Sequence, residues 1–202
     1  MEVLIVGNRP LNDDIIEISK DKVVIAADGG ADRLLEHKIL PDWVVGDLDS
    51  ISGEVAEKLK NITISNRDTE KTDLEKAADY AIEIGAKEIR IMGWNGGRID
   101  HTLAALGLAF NPNIKLIDEK FELSGVTNFK TIMGKEKTIF SLLAIPEAIV
   151  SITGARWDLK QEKLSMSGQG IHNEIGPSGE VTIECHNGKL LLIQGKFILP
   201  HD

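Results

Sequence analysis

Aspartates punctuate the first hundred positions of this chain in a pattern suited to metal and phosphate chemistry. Asp28 follows the apolar run at 23–27. Asp47 and Asp49 follow the run at 43–45, and Asp68 and Asp73 follow that at 62–65. Asp100 follows the run at 89–92 after a glycine-rich loop. Each lies just past a segment that reads as a strand. If those strands are parallel, the carboxylates converge on one rim, the edge at which open α/β sheets bind ligands. Two carboxylates ~4 Å apart repel by about 4 kcal/mol at an effective dielectric near 20. A converging set therefore calls for a hard cation, and Mg²⁺ is usually held by one or two carboxylates together with substrate phosphates. Turn and cap roles explain any single Asp of an acidic chain. For several at one rim they are the weaker explanation.

Glycine-rich and basic loops accompany the acids. Asp28-Gly29-Gly30 and Gly96-Gly97-Arg98 each open a helical pattern, and bare glycine lets a phosphate approach backbone N–H groups at a helix start. A lone Gly-Gly is also ordinary turn chemistry. Arg33, Arg67, Lys71 and Arg98 are placed near the same rim, either to neutralise phosphate or as solvated surface charge. Arg98 is the foremost of them, since it lies between the glycines and Asp100. His101 follows Asp100 at a helix start. It can orient Asp100, touch phosphate, or serve as a plain cap. His37, His186 and His201 have no partner by sequence and read as surface residues.

The elements that must position these residues fall into two regimes. Apolar runs at 2–6, 22–27, 42–45, 62–65, 88–92 and 114–117 alternate with helical spacing, as in Leu74, Ala77, Ala78, Ala81, Ile82 and in Leu103, Leu106, Gly107, Phe110. Apolar strands separated by amphipathic helices specify a parallel sheet covered on both faces. Asn111-Pro112-Asn113 ends the last helix of this half. From about residue 121 the helical period disappears and β-rich runs follow, with turns at Met133-Gly134-Lys135 and Gly176-Pro177-Ser178-Gly179. A hairpin is expected at 181–193, turning at His186-Asn187-Gly188. The reading is an α/β domain over 1–120 followed by an all-β domain over 121–202, an antiparallel β-sandwich or barrel.

Composition narrows the function. The 202 residues carry 23 Lys+Arg against 32 Asp+Glu, a formal net charge of −9, which argues against general nucleic-acid binding. No apolar run approaches the roughly 20 residues of a membrane span. The N-terminus reads as a first strand and not as a leader. The single Cys185 excludes an internal disulfide or a CxxC metal site and points to the cytoplasm. No P-loop, complete G-x-G-x-x-G, H-E-x-x-H or G-x-S-x-G motif is present.

Taken in order, Asp28-Gly29-Gly30-Ala31, Gly46-Asp47-Leu48-Asp49-Ser50, Lys71-Thr72-Asp73-Leu74-Glu75-Lys76-Ala77 and Gly96-Gly97-Arg98-Ile99-Asp100-His101 resemble the motifs of the thiamine pyrophosphokinase family. Gly154-Ala155-Arg156-Trp157-Asp158-Leu159 and Ile171-His172-Asn173-Glu174 resemble its C-terminal signatures. The likeness covers nearly the whole chain. It implies an N-terminal α/β domain, a C-terminal β-sandwich, and transfer of the β,γ-diphosphate of ATP to the hydroxyl of thiamine, giving thiamine diphosphate and AMP. It further implies that Asp47, Asp49, Asp73 and Asp100 handle Mg²⁺ and polyphosphate. Asp73, Asp100 and Asp49 are then the catalytic candidates, with Asp73 or Asp100 as the base. Asp28, Gly29, Gly30, Arg67, Lys71, Thr72, Gly96, Gly97, Arg98 and His101 would lie along the nucleotide and its phosphates. The resemblance also implies a homodimer with the thiamine site between subunits, where Trp157 packs on the vitamin's rings and His172 and Asn173 stand close by. From the residues alone, Trp157 reads as a sandwich-core aromatic. Three positions depart from the family pattern: Ala105 and Phe121 stand where it favours Asn, and His172 where it favours Ser. The readings that compete are a pyrophosphokinase for another hydroxymethyl heterocycle such as a pterin, a Mg²⁺-dependent phosphohydrolase, and a non-catalytic nucleotide- or vitamin-binding module.

Overall fold

In the computed structural model, which describes residues 1–49 and 51–198, the chain divides into two units. One is Met1–Leu108 with Asn113–Glu119, the other Ala109–Pro112 with the chain from Lys120 on. The first unit runs β1 (Glu2–Val6), α1 (Ile15–Ile18), β2 (Val23–Ala27), α2 (Gly30–Glu36), β3 (Trp43–Gly46), α3 (Gly53–Leu59), β4 (Thr63–Ser65), α4 (Asp73–Glu83), β5 (Glu88–Met92), α5 (Ile99–Leu108) and β6 (Ile114–Ile117). Its strands all pair in parallel, in the order β6-β5-β1-β2-β3-β4.

Period-2 alternation sends successive side chains of these strands to opposite faces. Leu4, Val6, Val24, Ala26 and Val44 join a core with Ile15, Ala31, Leu34 and Leu59 from the first three helices. Helix α4 packs on β1, β2 and β3 and buries Ala77, Ala78 and Ala81, small enough for a close approach. A fully buried Leu or Ile side chain stabilises such a core by about 1.5–3 kcal/mol. Helix α4 starts at a capping box in which Thr72 and Glu75 exchange side-chain-to-backbone hydrogen bonds. That box fixes where the first turn, and with it Asp73, begins. Strand order reverses between β1 and β5, so a crevice opens beyond their C-terminal ends.

The second unit contains β7 (Phe121–Val126), β8 (Phe129–Met133), β9 (Thr138–Thr153), β10 (Leu159–Ser165), β11 (Asn173–Glu174) and β12 (Glu180–Ile198). All its pairings are antiparallel. Strand β9 lies between β10 and β12 and also takes β11, and β12 takes β8 and β7 along its other edge. The strands enclose an apolar core that includes Phe140, Leu142, Val150, Ile152, Leu164, Val181, Ile183, Leu190 and Leu192.

The hairpin expected at 181–193 does not form. Residues on both sides of Asn187-Gly188 belong to the single strand β12, which stays paired with β9 from Thr182↔Thr153 to Ile193↔Ser141. Register shifts at Cys185/Asn187 and Gly188/Leu190 mark bulges there. Gly188 has φ +88° while Asn187 does not share a positive φ, so the pair of left-handed residues that a type I′ turn needs is absent. The bulges exchange the faces of the strand. Val181, Ile183 and Cys185 point inward before them, Leu190 and Leu192 after.

Two histidines read as surface residues have partners. His37 Nδ1 lies 3.3 Å from Asp13, and His186 Nε2 lies 2.8 Å from Ser151 Oγ. His201 lies outside the described residues, as does Ser50.

Candidate active site

Carboxylates gather at the C-terminal ends of β2 and β3 and the start of α4. Oxygens of Asp28, Asp47 and Asp73 all lie within 4.8 Å of one another. Asp28 takes a left-handed backbone, φ +45°, which Asp tolerates better than most residues. Its N–H donates to Val45 O at 2.9 Å, fastening the end of β2 to β3, and it is 3% exposed. Gly46 closes β3 without a side chain. A Cβ there would lie 2.9 Å from the Cβ of Asp28 and 3.3 Å from Asp73 Oδ1.

One buried cation faces these acids. Lys76, one turn into α4 and 3% exposed, donates from Nζ to Asp73 Oδ1 at 2.9 Å and lies 3.8 Å from Asp47 Oδ2. Burial alone would lower its pKa. The hydrogen bond and charge of Asp73, with the charges of Asp47 and Asp68, outweigh burial and hold it above the ordinary lysine value. Three carboxylates against one ammonium leave an excess of negative charge. The donors are hard oxygens, and Gly46 puts no side chain against Asp28 and Asp73. Both features fit a divalent cation such as Mg²⁺ or Ca²⁺.

A cavity of about 140 Å³ adjoins this group. Gly7, Asn8 and Arg9 after β1, Asp28 and Gly29 after β2, Thr72, Asp73 and Leu74 at α4, and Gly93, Trp94 and His101 beyond β5 all contribute to its wall. It therefore sits at the strand-order reversal.

Of the residues named from sequence, Asp28, Gly29, Thr72, Asp73 and His101 line this cavity, and Asp47 belongs to the carboxylate group. Asp49 and Asp100 are not part of that group. Asp49 is exposed, its N–H 3.4 Å from Asp47 Oδ1. Asp100 is gripped by Arg98, which donates from Nε at 3.1 Å and from an Nη at 2.6 Å. That hydrogen bond holds the Asp100 pKa at about 2; burial opposes it and the His101 N–H assists. Lys71 pairs with Asp79 at 2.7 Å, and Arg67 is exposed in the loop after β4. Gly30 has a packing duty, since a Cβ there would come within 2.0 Å of Val6 O. Ala105 is fully buried in α5.

Lys76, Arg9 and Trp94 were not singled out by sequence. Lys76 stands three residues after Asp73, the spacing of helical neighbours. That spacing was the available signal.

The second unit carries a cavity of a different kind, about 230 Å³, lined by Ile152, Trp157, Leu159, Gln169, Gly170, Ile171, His172 and Asn173. Trp157 is 51% exposed and so not a core aromatic. The Arg156 guanidinium lies 4.5 Å from its ring centroid and is paired with Glu174 at 2.8 Å. Buried Asn173 holds the Trp157 backbone from both sides. Its Oδ1 accepts the Trp157 N–H at 3.2 Å and its Nδ2 donates to Trp157 O at 2.8 Å. His172, at φ +64°, follows a backbone path anchored by its N–H to Ser141 Oγ.

Residues 16–118 match the family model for the thiamin pyrophosphokinase catalytic domain, and residues 127–190 match that for the thiamin pyrophosphokinase vitamin B1 binding domain. The chain belongs to the thiamin pyrophosphokinase family. Members of this family transfer pyrophosphate from ATP to thiamine. Thiamine pyrophosphokinase of Bacillus subtilis (strain 168) is 27% identical over 184 residues, covering 84% of this chain and 86% of that one. Thiamine pyrophosphokinase 1 of Oryza sativa subsp. japonica is also 27% identical, over 180 residues, covering 71% and 68%. The crystal structure of thiamin pyrophosphokinase from Geobacillus thermodenitrificans superposes with a TM-score of 0.83 at 25% identity over 98% of both chains. The enzyme from Candida albicans, at 20% identity and a TM-score of 0.81 over 96% of this chain and 88% of its own, shares the fold. The pyrophosphokinase family is consistent with a divalent metal cofactor, in keeping with the donor set at Asp28, Asp47 and Asp73. No helix among the described residues is long and apolar enough to cross a membrane.

Proposed function

We propose that this chain transfers the β,γ-diphosphate of ATP to the hydroxyl of thiamine, releasing AMP, with Mg²⁺ as its metal. The observation that carries this reading is the group Asp28, Asp47 and Asp73 beside a cavity at the strand-order reversal, in a chain of this family. The three carboxylates are the ligands we assign to Mg²⁺. When bound, the ion offsets charge on the phosphate oxygens. Lys76 offsets part of the charge on Asp73 and Asp47 and holds Asp73 in place. Asp73 Oδ2, the oxygen not bonded to Lys76, is our first choice to accept the thiamine hydroxyl proton, ahead of Asp100, whose carboxylate Arg98 already holds. Asp49 and Asp100 act around this group in the proposal. Thr72, Gly29, Gly96, Arg98 and His101 serve the phosphates.

The rings of thiamine are assigned to the cavity of Trp157, His172 and Asn173, which offers an aromatic face and a fixed amide. The α/β unit is thus the catalytic domain and the β unit the vitamin-binding domain. The remaining elements of the proposal are a cytoplasmic homodimer with its thiamine site between subunits and no nucleic-acid partner, the last in keeping with the net charge of −9.

Product analysis tests the reaction. Incubation with ATP, Mg²⁺ and thiamine is expected to yield AMP and thiamine diphosphate, and neither without thiamine. ADP as product, AMP without thiamine, or no turnover overturns the proposal.

A further inference from the structure

The carboxylates of the first cavity are accounted for by a metal, but the arginine in the same wall is not. Arg9 sits three residues beyond β1, at the strand-order reversal. Its N–H donates to Gly7 O at 2.9 Å, and Pro10 follows it. A residue before proline favours extended backbone, which restricts where this side chain leaves the main chain. Its guanidinium occupies the space over Gly97. A Cβ at Gly97 would come within 1.9 Å of Cζ, 2.2 Å of an Nη and 2.3 Å of Nε. The missing side chain at 97 is therefore the seat of the Arg9 head group.

That head group is kept clear of carboxylates. Arg33 holds Glu36, Arg90 holds Glu88, Arg98 holds Asp100 and Arg156 holds Glu174. Among the described residues no carboxylate pairs with Arg9, although acids outnumber bases 32 to 23 and Asp28 and Asp73 line the same cavity. A half-buried, seated, unneutralised guanidinium is suited to an anion brought from outside, and its planar fork matches phosphate oxygens in pairs. The cavity, about 140 Å³, is below the roughly 300–1,000 Å³ of sites that enclose a whole small molecule. It accommodates part of a ligand.

We infer that Arg9, seated on Gly97, is a phosphate-binding residue for the polyphosphate chain of the nucleoside triphosphate. This rests on the reading that the cavity receives ATP. Sequence alone could not single out Arg9, because its partner is the absence of a side chain 88 positions away.

The seat makes the inference testable from both sides. Arg9→Gln removes the guanidinium. Gly97→Ala leaves Arg9 in place but puts a methyl where its head group lies. The methyl meets only the end of a flexible side chain, so the fold survives while the guanidinium is displaced. Each variant is expected to weaken ATP binding by roughly 10–100-fold, the scale of a charge-assisted hydrogen bond. Mn²⁺ binding followed by electron paramagnetic resonance and the KM for thiamine should stay unchanged. In the double variant Gly97→Ala adds nothing to Arg9→Gln, because both act through one group. Titration calorimetry with ATP and Mg²⁺ reads the effect, and melting temperature controls for folding. Wild-type protein that binds no ATP overturns the proposed function and this inference together. Wild-type binding with undiminished binding by folded Arg9→Gln overturns this inference alone. Losses that add in the double variant overturn the seat at Gly97.

Discussion

The two cavities of this chain solve recognition in opposite ways. The one in the α/β unit is built from the ends of strands and the first turns of helices. Its chemistry is charge, with Asp28, Asp47 and Asp73 set against Lys76. The one in the β unit is built from Ile152 and Leu159 on strands, the loop that carries Trp157, and the 169–173 segment. Its chemistry is an apolar and aromatic surface trimmed with one locked amide, that of Asn173. In the proposal the first depends on charge and on a bound metal. The second depends on shape and on where Asn173 holds the Trp157 backbone. The proposed reaction joins a polyphosphate to a flat vitamin and calls for both kinds, each drawn from the architecture suited to it. Parallel sheets converge loops at one edge, whereas antiparallel ladders offer surfaces.

Four substitutions test that contrast. The largest effect is expected from Asp73→Asn, which removes the carboxylate that the proposal makes both a metal ligand and the proton acceptor. AMP formation should fall by about 10²–10³-fold with the far-ultraviolet circular dichroism unchanged. Near-normal turnover would remove Asp73 from the charge-based site. Next comes Lys76→Met. It leaves the carboxylates without their buried counter-charge and should lower stability by about 1–3 kcal/mol in metal-free buffer. Because the loss is electrostatic, added Mg²⁺ should narrow the gap to wild type in thermal melts. A gap insensitive to Mg²⁺ would make Lys76 a packing residue. On the shape-based side, Trp157→Ala should raise the KM for thiamine roughly 10-fold while ATP binding holds. A change in ATP binding instead would erase the distinction between the cavities.

The smallest effect concerns Asp100. Arg98 holds its pKa at about 2 against an ordinary 3.8. A carboxylate depressed in this way contributes stability that is complete above its unfolded value and is lost as the pH falls through about 2. Arg98→Gln should therefore move the Asp100 titration, followed by carbon-13 NMR of its carboxyl, up toward 3.8. The titration staying near 2 would assign the depression to another group.

The α/β unit was largely legible in the sequence because its signals are local. Fully apolar runs end at aspartates, and the strands at Glu2–Val6, Glu88–Met92 and Ile114–Ile117 appear where the runs lie. Convergence of Asp47 with Asp73 followed from parallel strands, and Asp28 joined them because its left-handed backbone fastens it to β3. Lys76 was hidden, since a lysine in a helix ordinarily reads as solvated, and only tertiary packing shows that it is buried. In the β unit Asn-Gly read as a turn. The same dipeptide was used as a bulge, because continuous pairing with the sixteen-residue β9 outweighs a local turn preference. From the residues alone Trp157 read as core by its size; the resemblance set it against the vitamin, and the structure leaves it half exposed beside the cavity.

The nineteen-residue strand β12 has one more implication. Its first part is flanked by β8 and β9, and its later part by β7 and β9. Neither ladder can fray through the bulge at Gly188 without pulling on the other, so the β unit behaves as one cooperative block. Amides at Ile183 and Leu192 should exchange with deuterium through the same opening event and at matched protection.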